Sequence, residues 1–267
     1  MSQLDINNMK NPKRAKYWWT FAAVTAFMAI LYYIAFTETR LGAQRSIWES
    51  GPLLQRFFWD PFFMPEIHAK IPDYFGYMIE TVAIAYAGTL MGAILAIPVG
   101  FLAAQNVGGH FSFIGKGVLN AVRAFPEILF AIIFVAAVGM GPFAGVLAIS
   151  INSIGMLGKL YAEVIESIDM EIISTLKATG ASKLQVLVYG VIPQVLPEFS
   201  SYALYRYEID VRSSSVLGIV GAGGIGAPLI LAANNRSFEE VGMMLFIIVL
   251  TVTVIDLIST NIRKRLV

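Results

Sequence analysis

Two short stretches carry ionisable side chains at spacings suited to handling an anion inside an otherwise apolar chain. In YRYEIDVR, residues 205–212, Arg206, Glu208, Asp210 and Arg212 sit within or beside a hydrophobic run. Residues four apart share a helix face, so Arg206 can meet Asp210 and Glu208 can meet Arg212. Arg123 and Glu127, around Pro126, repeat that spacing. Ionisable groups in lipid are expensive, and they mark either a transport path or internally neutralised pairs. The spacing alone leaves both readings open. Ser213, Ser214 and Ser215 follow Arg212 and could add hydroxyls to the same wall, although serine in spanning helices also serves close packing. Cysteine is absent, and the two histidines, His68 and His110, form no metal-ligand pattern. No nucleophile and base stand out either, so no residue is given a catalytic or metal-binding role.

The elements that must position these groups are membrane helices. Hydrophobic residues make up 57% of the chain, charged residues only 14%, and the mean hydropathy is +0.69, so lipid is the principal solvent. Residues 81–115, 128–158 and 213–235 contain no Asp, Glu, Lys or Arg, and each run can hold the roughly 20 residues that cross a bilayer. The pattern predicts an all-α, polytopic membrane protein with six spans, near residues 17–36, 75–104, 121–138, 143–165, 199–220 and 241–262. A net charge of +1 gives no reason to expect nucleic acid as a partner.

The first span follows Lys10, Lys13, Arg14 and Lys16, a start that a signal peptide shares, but no small-residue cleavage site comes after it. Tyr17, Trp18, Trp19, Tyr32 and Tyr33 look like the interfacial belts of a retained anchor. Basic residues in short loops set orientation. The amino-terminal tail holds four, and Arg263, Lys264 and Arg265 close the chain, which predicts that both termini are cytoplasmic, together with Lys116, Lys177 and Lys183. Arg40, Arg45, Arg56 and Lys70 between the first two spans are accompanied by Glu38, Glu49, Asp60, Glu66 and Asp73, and that loop is expected outside. Its part from 53 to 74, crowded with aromatics and with Pro52, Pro61, Pro65 and Pro72 as breakers, reads as an interfacial connector or as a seat for an external partner. Residues 1–74 thus form a tail, first span and interfacial segment, and 75–267 a five-helix core.

Within that core, residues 167–198 are a polar interruption. The half before Gly180 presents Ile172, Ile173 and Leu176 at helical spacing with Lys177 off the stripe; the half after Ala181 presents Leu184, Leu187 and Val188. Gly180 permits a turn, and Pro193 and Pro197 should keep the second helix from running into the fifth span. The result is a bent amphipathic knob suited to docking a motor subunit outside the bilayer, the alternative being a plain polar loop. Beyond that span, Gly221, Gly223, Gly224 and Gly226 match G-x-G-x-x-G. No strand precedes them and no acidic residue follows at the distance a dinucleotide site needs, so they read as a flexible outer end of the span, with a gate as the functional version. Gly88-x-x-x-Gly92 and Gly141-x-x-x-Gly145 allow close helix approach, and Pro98 predicts a kink.

The stretch KATGASKLQVLVYGVIPQVLP, with Gly180, Ile192 and Pro193, resembles the coupling loop of permease subunits of binding-protein-dependent ABC importers. The family signature is E-A-A, three residues, Gly, nine residues, then I-x-L-P. Here Pro193 stands at the required distance, Ile192 takes the leucine place, Gly190 stands at the isoleucine, and Ser174, Thr175 and Leu176 replace E-A-A. The blocks at 123–148, 154–166 and 201–226 look like the permeases of phosphonate importers, whose relatives handle phosphite.

The resemblance implies a type I importer in a bacterial inner membrane, built from two permease chains as a homodimer, two cytoplasmic ATP-binding subunits and a periplasmic phosphonate-binding protein. ATP and Mg would bind the partner ATPase, with no cofactor in this chain. It also implies that Ile172, Ile173, Leu176, Lys177, Gly180, Ala181, Leu184 and Pro193 couple to the ATPase. Arginine forks suit a tetrahedral phosphorus oxyanion, but passage requires weak, transient attraction, so selectivity would lie mostly in the binding protein. The rival expectation is an ion-coupled secondary transporter using Glu208, Asp210 and Asp256, although no inverted repeat with paired broken helices is visible.

Overall fold

The computed structural model describes residues 12–38 and 51–266, and among them all regular structure is helical. Lys10, Arg40, Arg45 and Glu49 lie outside the described residues, as do the side chains of Lys13, Arg14, Lys16 and Glu38. The chain forms two compact units, residues 1–52 and 53–267. In the first, α1 (Pro12–Glu38) is one uninterrupted helix whose apolar part, Tyr17–Thr37, is long enough to cross a membrane.

The second unit runs from α2 (Gly51–Phe58) through a 3-10 turn (Asp60–Phe62) to α3 (Pro65–Ala103), α4 (Gln105–Gly108), α5 (Ser112–Ala124), α6 (Glu127–Val138) and α7 (Pro142–Glu166). It continues with α8 (Met170–Ala178), α9 (Lys183–Val186), α10 (Ile192–Leu217), α11 (Gly226–Asn234) and α12 (Phe238–Leu266). Helices α1, α3, α7 and α12 are each long and apolar enough to span a membrane. Helix α10 has the length, but its charges keep it below the apolarity of the others. The expected third span is broken instead: α5 with its lead-in and α6 meet at 85°. Pro126 explains the break. It lacks the N–H a continuing helix needs and drives Phe125 into extended backbone (φ −85°, ψ 130°).

Helix α3 begins about ten residues earlier than the apolar run suggests, at Pro65, where a missing N–H costs nothing. Its 39 residues span about 58 Å at 1.5 Å per residue, well beyond the roughly 30 Å of hydrocarbon, so one end projects from the membrane. Pro72 and Pro98 both lie inside it without ending it. The expectation that Pro72 breaks the chain is therefore corrected; the carbonyl it leaves unbonded belongs to His68, on an exposed turn.

The segment after Pro52 is joined to the start of α12. The Arg56 guanidinium pairs with Glu239 through Nε and, at 3.1 Å, through Nη2, a bond that raises its already high pKa. Lys70 reaches Glu240 at 2.7 Å, Tyr74 donates to the same carboxylate, and Phe57 packs on Phe238 with ring centroids 5.2 Å apart. Glu239 and Glu240 also lie where the positive end of the helix dipole favours carboxylates. The compact units consequently part at Pro52, while the sequence blocks change character near residue 74.

Glycine sets the central helix contact. Gly88, Gly92 and Gly100 of α3 recur at multiples of four, and a Cβ on them would lie 2.7, 2.6 and 2.9 Å from the side chains of Ile149, Ser153 and Tyr161 of α7. The two backbones approach as only small residues allow. Gly141 serves differently, in a turn with φ +144° whose N–H donates to Gly221.

Candidate transport path and coupling surface

Four helices bring a charged cluster together in the middle of the bundle. Asp210 (α10) is completely buried and accepts hydrogen bonds from Thr89 of α3 at 2.7 Å and Ser153 of α7 at 2.8 Å. Arg206, 5% exposed, lies one turn away with Nη2 2.6 Å from Asp210 Oδ1. Neither of those two atoms has an aligned hydrogen-bond partner, so this contact is Coulombic. Arg206 Nε donates to Ser153 at 3.0 Å, and Nη2 is 3.6 Å from Glu127 at the start of α6. Asn152 donates to that same Glu127 oxygen at 2.9 Å. The Arg206–Asp210 pair expected from four-residue spacing is thus present, held by hydroxyls that sequence reading did not single out. Thr89 and Ser153 had one signal: each is a polar residue in a charge-free run close to a packing glycine, Thr89 beside Gly88 and Ser153 two residues before Gly155.

The second expected pair does not form. Glu208 is bonded by Arg263 of α12 at 2.9 Å and by Ser259 at 3.3 Å, while Arg212 stays exposed on α10. Arg123 and Glu127 also fail to meet, because the 85° break between α5 and α6 separates them. Glu127 turns inward to Arg206, and Arg123 remains exposed with its stem across Gly155 of α7. Among the described residues, Arg123 and Arg212 have no carboxylate partner. Ser214 and Ser215 are buried and bond to the Thr81 and Val211 carbonyls, which is a packing role; Ser213 is half-buried.

The polar interruption folds into the expected knob with two corrections. Asp169 caps α8 by accepting from the Glu171 N–H, and Ser182 and Gln185 form a reciprocal capping box at the start of α9. Gly180 makes the turn between them in left-handed backbone (φ +82°). The prolines do not stop the second helix. It passes through a π-helical turn, Leu187–Val191, into α10, with Pro193 in the first turn and Pro197 inside. The wider turn lets Ile192 bond Leu187, and the Gln194 side chain takes the Gly190 carbonyl at 2.7 Å. The apolar stripe is also split between two faces. Ile173 is buried in the bundle core, with Leu176 and Ala181 packed against it. Ile172, Lys177, Leu184 and Pro193 face outward. Tyr189, 71% exposed, joins that outer surface; an aromatic residue in a polar loop was its signal.

At the opposite end, the glycine run forms a turn bonded to α3. Gly221, Gly223 and Gly224 all adopt left-handed backbone (φ 89°, 84° and 75°). The Gly224 N–H donates to Glu80 at 3.1 Å, and that of Ile225 to Thr81 at 2.8 Å. Ala222 and Ile225 are buried, and Gly226 lies against Gly218. This turn therefore knits the start of α7 and the end of α10 onto the interior of α3.

A family model described as the binding-protein-dependent transport system inner membrane component matches residues 96–267, nearly the whole core. The chain belongs to that family. The phosphite transport system permease protein PtxC of Stutzerimonas stutzeri is 42% identical over 205 residues, covering 74% of each chain. The phosphate-import permease protein PhnE of Mycolicibacterium smegmatis is 38% identical over 205 residues, 76% of this chain and 38% of that one. In fold, a chain of the inward-facing MetNI methionine ABC transporter superposes with a TM-score of 0.62 at 20% identity, covering 71% of this chain and 94% of its own.

Family membership makes the molecule an inner membrane transport permease of the type I importer fold. The ion-coupled alternative gives way, and the geometry agrees: Asp210 is committed to Arg206 and Glu208 to Arg263. The residues of the family match begin within α3, so the Gly92 contact with α7 and the α2–α12 corner adjoin it at the amino-terminal side.

Proposed function

We propose that the chain is the permease of an ATP-driven importer that passes a phosphonate, phosphite or related phosphorus oxyanion from the periplasm to the cytoplasm. Two copies form the path, a periplasmic binding protein delivers the passenger, and two cytoplasmic subunits bind ATP and Mg and carry out hydrolysis. Both termini face the cytoplasm in this reading. The knob of Ile172, Lys177, Gly180, Leu184 and Tyr189 receives the motor's movement and passes it to α10, with which it is continuous. Ile173, Leu176 and Ala181 fasten it to the bundle.

The observation that carries the substrate class is the pair of exposed, unmatched arginines, Arg212 on α10 and Arg123 at the end of α5. A lone arginine facing lipid is costly, so its surface belongs against a water-filled path or a second copy. There it offers a fork to an oxyanion without holding it tightly. Arg206, Asp210, Glu127 and Glu208 position this wall from within the bundle. Arg212→Ala in the assembled, reconstituted complex should lower uptake of phosphite or phosphonate at limiting concentration roughly ten- to a hundredfold, the value of one charge-assisted contact, with little change in melting temperature. Uptake that survives intact would remove Arg212 from the path.

Gly180→Val tests the coupling role separately. No atom lies within 4 Å of the added Cβ, so the cost is the roughly 1–2 kcal/mol of forcing a side chain into left-handed backbone. Basal ATP hydrolysis by the partner should persist while uptake per ATP falls. Equal uptake per ATP in wild type and variant would mean that the turn transmits nothing.

A further inference from the structure

Where α10 begins and α12 ends, a groove of about 540 Å³ opens between them, lined by Glu198, Ser201 and Tyr202 on one side and Thr260, Arg263 and Lys264 on the other. Its charges are laid out unlike a plain anion site. Arg263 is neutralised from within: Nη2 donates to Glu208 at 2.9 Å and to Thr260 at 3.3 Å, and the guanidinium stacks 5.5 Å above the Tyr205 ring. Its Nε is buried with no acceptor. Lys264 is exposed and Glu198 half-buried, on opposite walls, and among the described residues neither is in an ion pair. The groove thus offers an ammonium on one side and a carboxylate on the other. Further along α12, Leu257 and Leu250 continue the face of Lys264 at seven-residue steps, 60% and 45% exposed.

We propose that this groove seats the headgroup of an amine-bearing phospholipid, phosphatidylethanolamine. The phosphate meets Lys264, the ammonium meets Glu198, and the acyl chains lie along Leu257 and Leu250. Basic pockets between helix ends at a membrane surface suit lipid phosphates. Glu198 decides the class, because an anionic headgroup without an amine would face it with like charge. The inference rests on the membrane fold and is independent of the transported substrate.

Native mass spectrometry of the full chain, purified alone and in its complex from bilayers with equal phosphatidylethanolamine and phosphatidylglycerol, tests the site. Wild type should retain phosphatidylethanolamine in excess. Lys264→Ala should lower that retention roughly tenfold, as expected for one charge-assisted bond. Glu198→Lys should switch the preference to phosphatidylglycerol. Ser201→Trp, which fills the groove without touching an ion pair, should empty it while leaving the melting temperature unchanged. Equal retention of the two lipids by wild type, or retention indifferent to all three substitutions, overturns the proposal. Displacement of the lipid by inorganic phosphate would mark a free-anion site, and loss of the lipid on assembly would mean that protein covers the groove; either result overturns it too.

Discussion

Asp210→Ala should destabilise the protein by about 3–5 kcal/mol, the cost of stripping a buried charge of its counter-ion, and most of the folded material should disappear from detergent extracts. Arg206 has nowhere to go: it is 5% exposed, and the nearest other carboxylate, Glu127, is 3.6 Å away and already shared with Asn152. Thr89 and Ser153 would lose their common acceptor as well. Asp210→Asn keeps an oxygen for those hydroxyls and should fall between the two. Removing both charges, as Arg206→Met with Asp210→Leu, should recover much of the loss, because a well-packed apolar pair often equals a buried ion pair in stability. Fluorescence-detected melting of the three variants checks the order, and Asp210→Ala melting with wild type would show that the pair holds nothing together. Uptake by the double variant then separates roles. Retained transport means that the cluster only positions the wall, whereas a stable but inactive double variant places the charges in the path.

Gly92→Leu should be nearly as damaging, and for a reason that leads to the same cluster. The first added carbon would lie 2.6 Å from Ser153 Cβ and 2.9 Å from the Ser150 carbonyl, so α3 and α7 must separate. Ordinary overpacking costs about 1–3 kcal/mol, and here the displaced helix also carries Ser153 away from both Asp210 and Arg206. Lower melting temperature and reduced uptake are expected together. Gly76→Leu on the same helix meets nothing within 4 Å and should melt with wild type or above it. If the two variants behave alike, close backbone approach at Gly92 is not what joins the helices.

Much of the architecture is legible in the sequence because membrane spans and turns are written locally. Charge-free runs give the helical passages, Gly180 gives the left-handed turn, and a polar amphipathic interruption gives the knob. Ser182 and Gln185, three apart, already spell its capping box. The 85° break was less legible, since Pro126 announces a boundary but not an angle. The reach of α3 back to Pro65 was hidden because residues 65–74 are too polar to look like a span, and only their bonds to Glu240 and their packing on α12 explain why they stay helical.

From the residues alone, then, came the class of fold, the polar knob and the list of charges that matter. The tertiary structure decided which charges are spent and which are free. Four-residue spacing permits Arg206 to meet Asp210 and Glu208 to meet Arg212 equally well, so one helix cannot choose between them. The choice came from its neighbours: α7 and α3 supplied hydroxyls that fix Asp210, and α12 supplied Arg263, 55 residues away, to claim Glu208. Arg212 was left unmatched because a buried carboxylate takes the partner that completes its hydrogen bonds inside the bundle, and that partner lies on another helix.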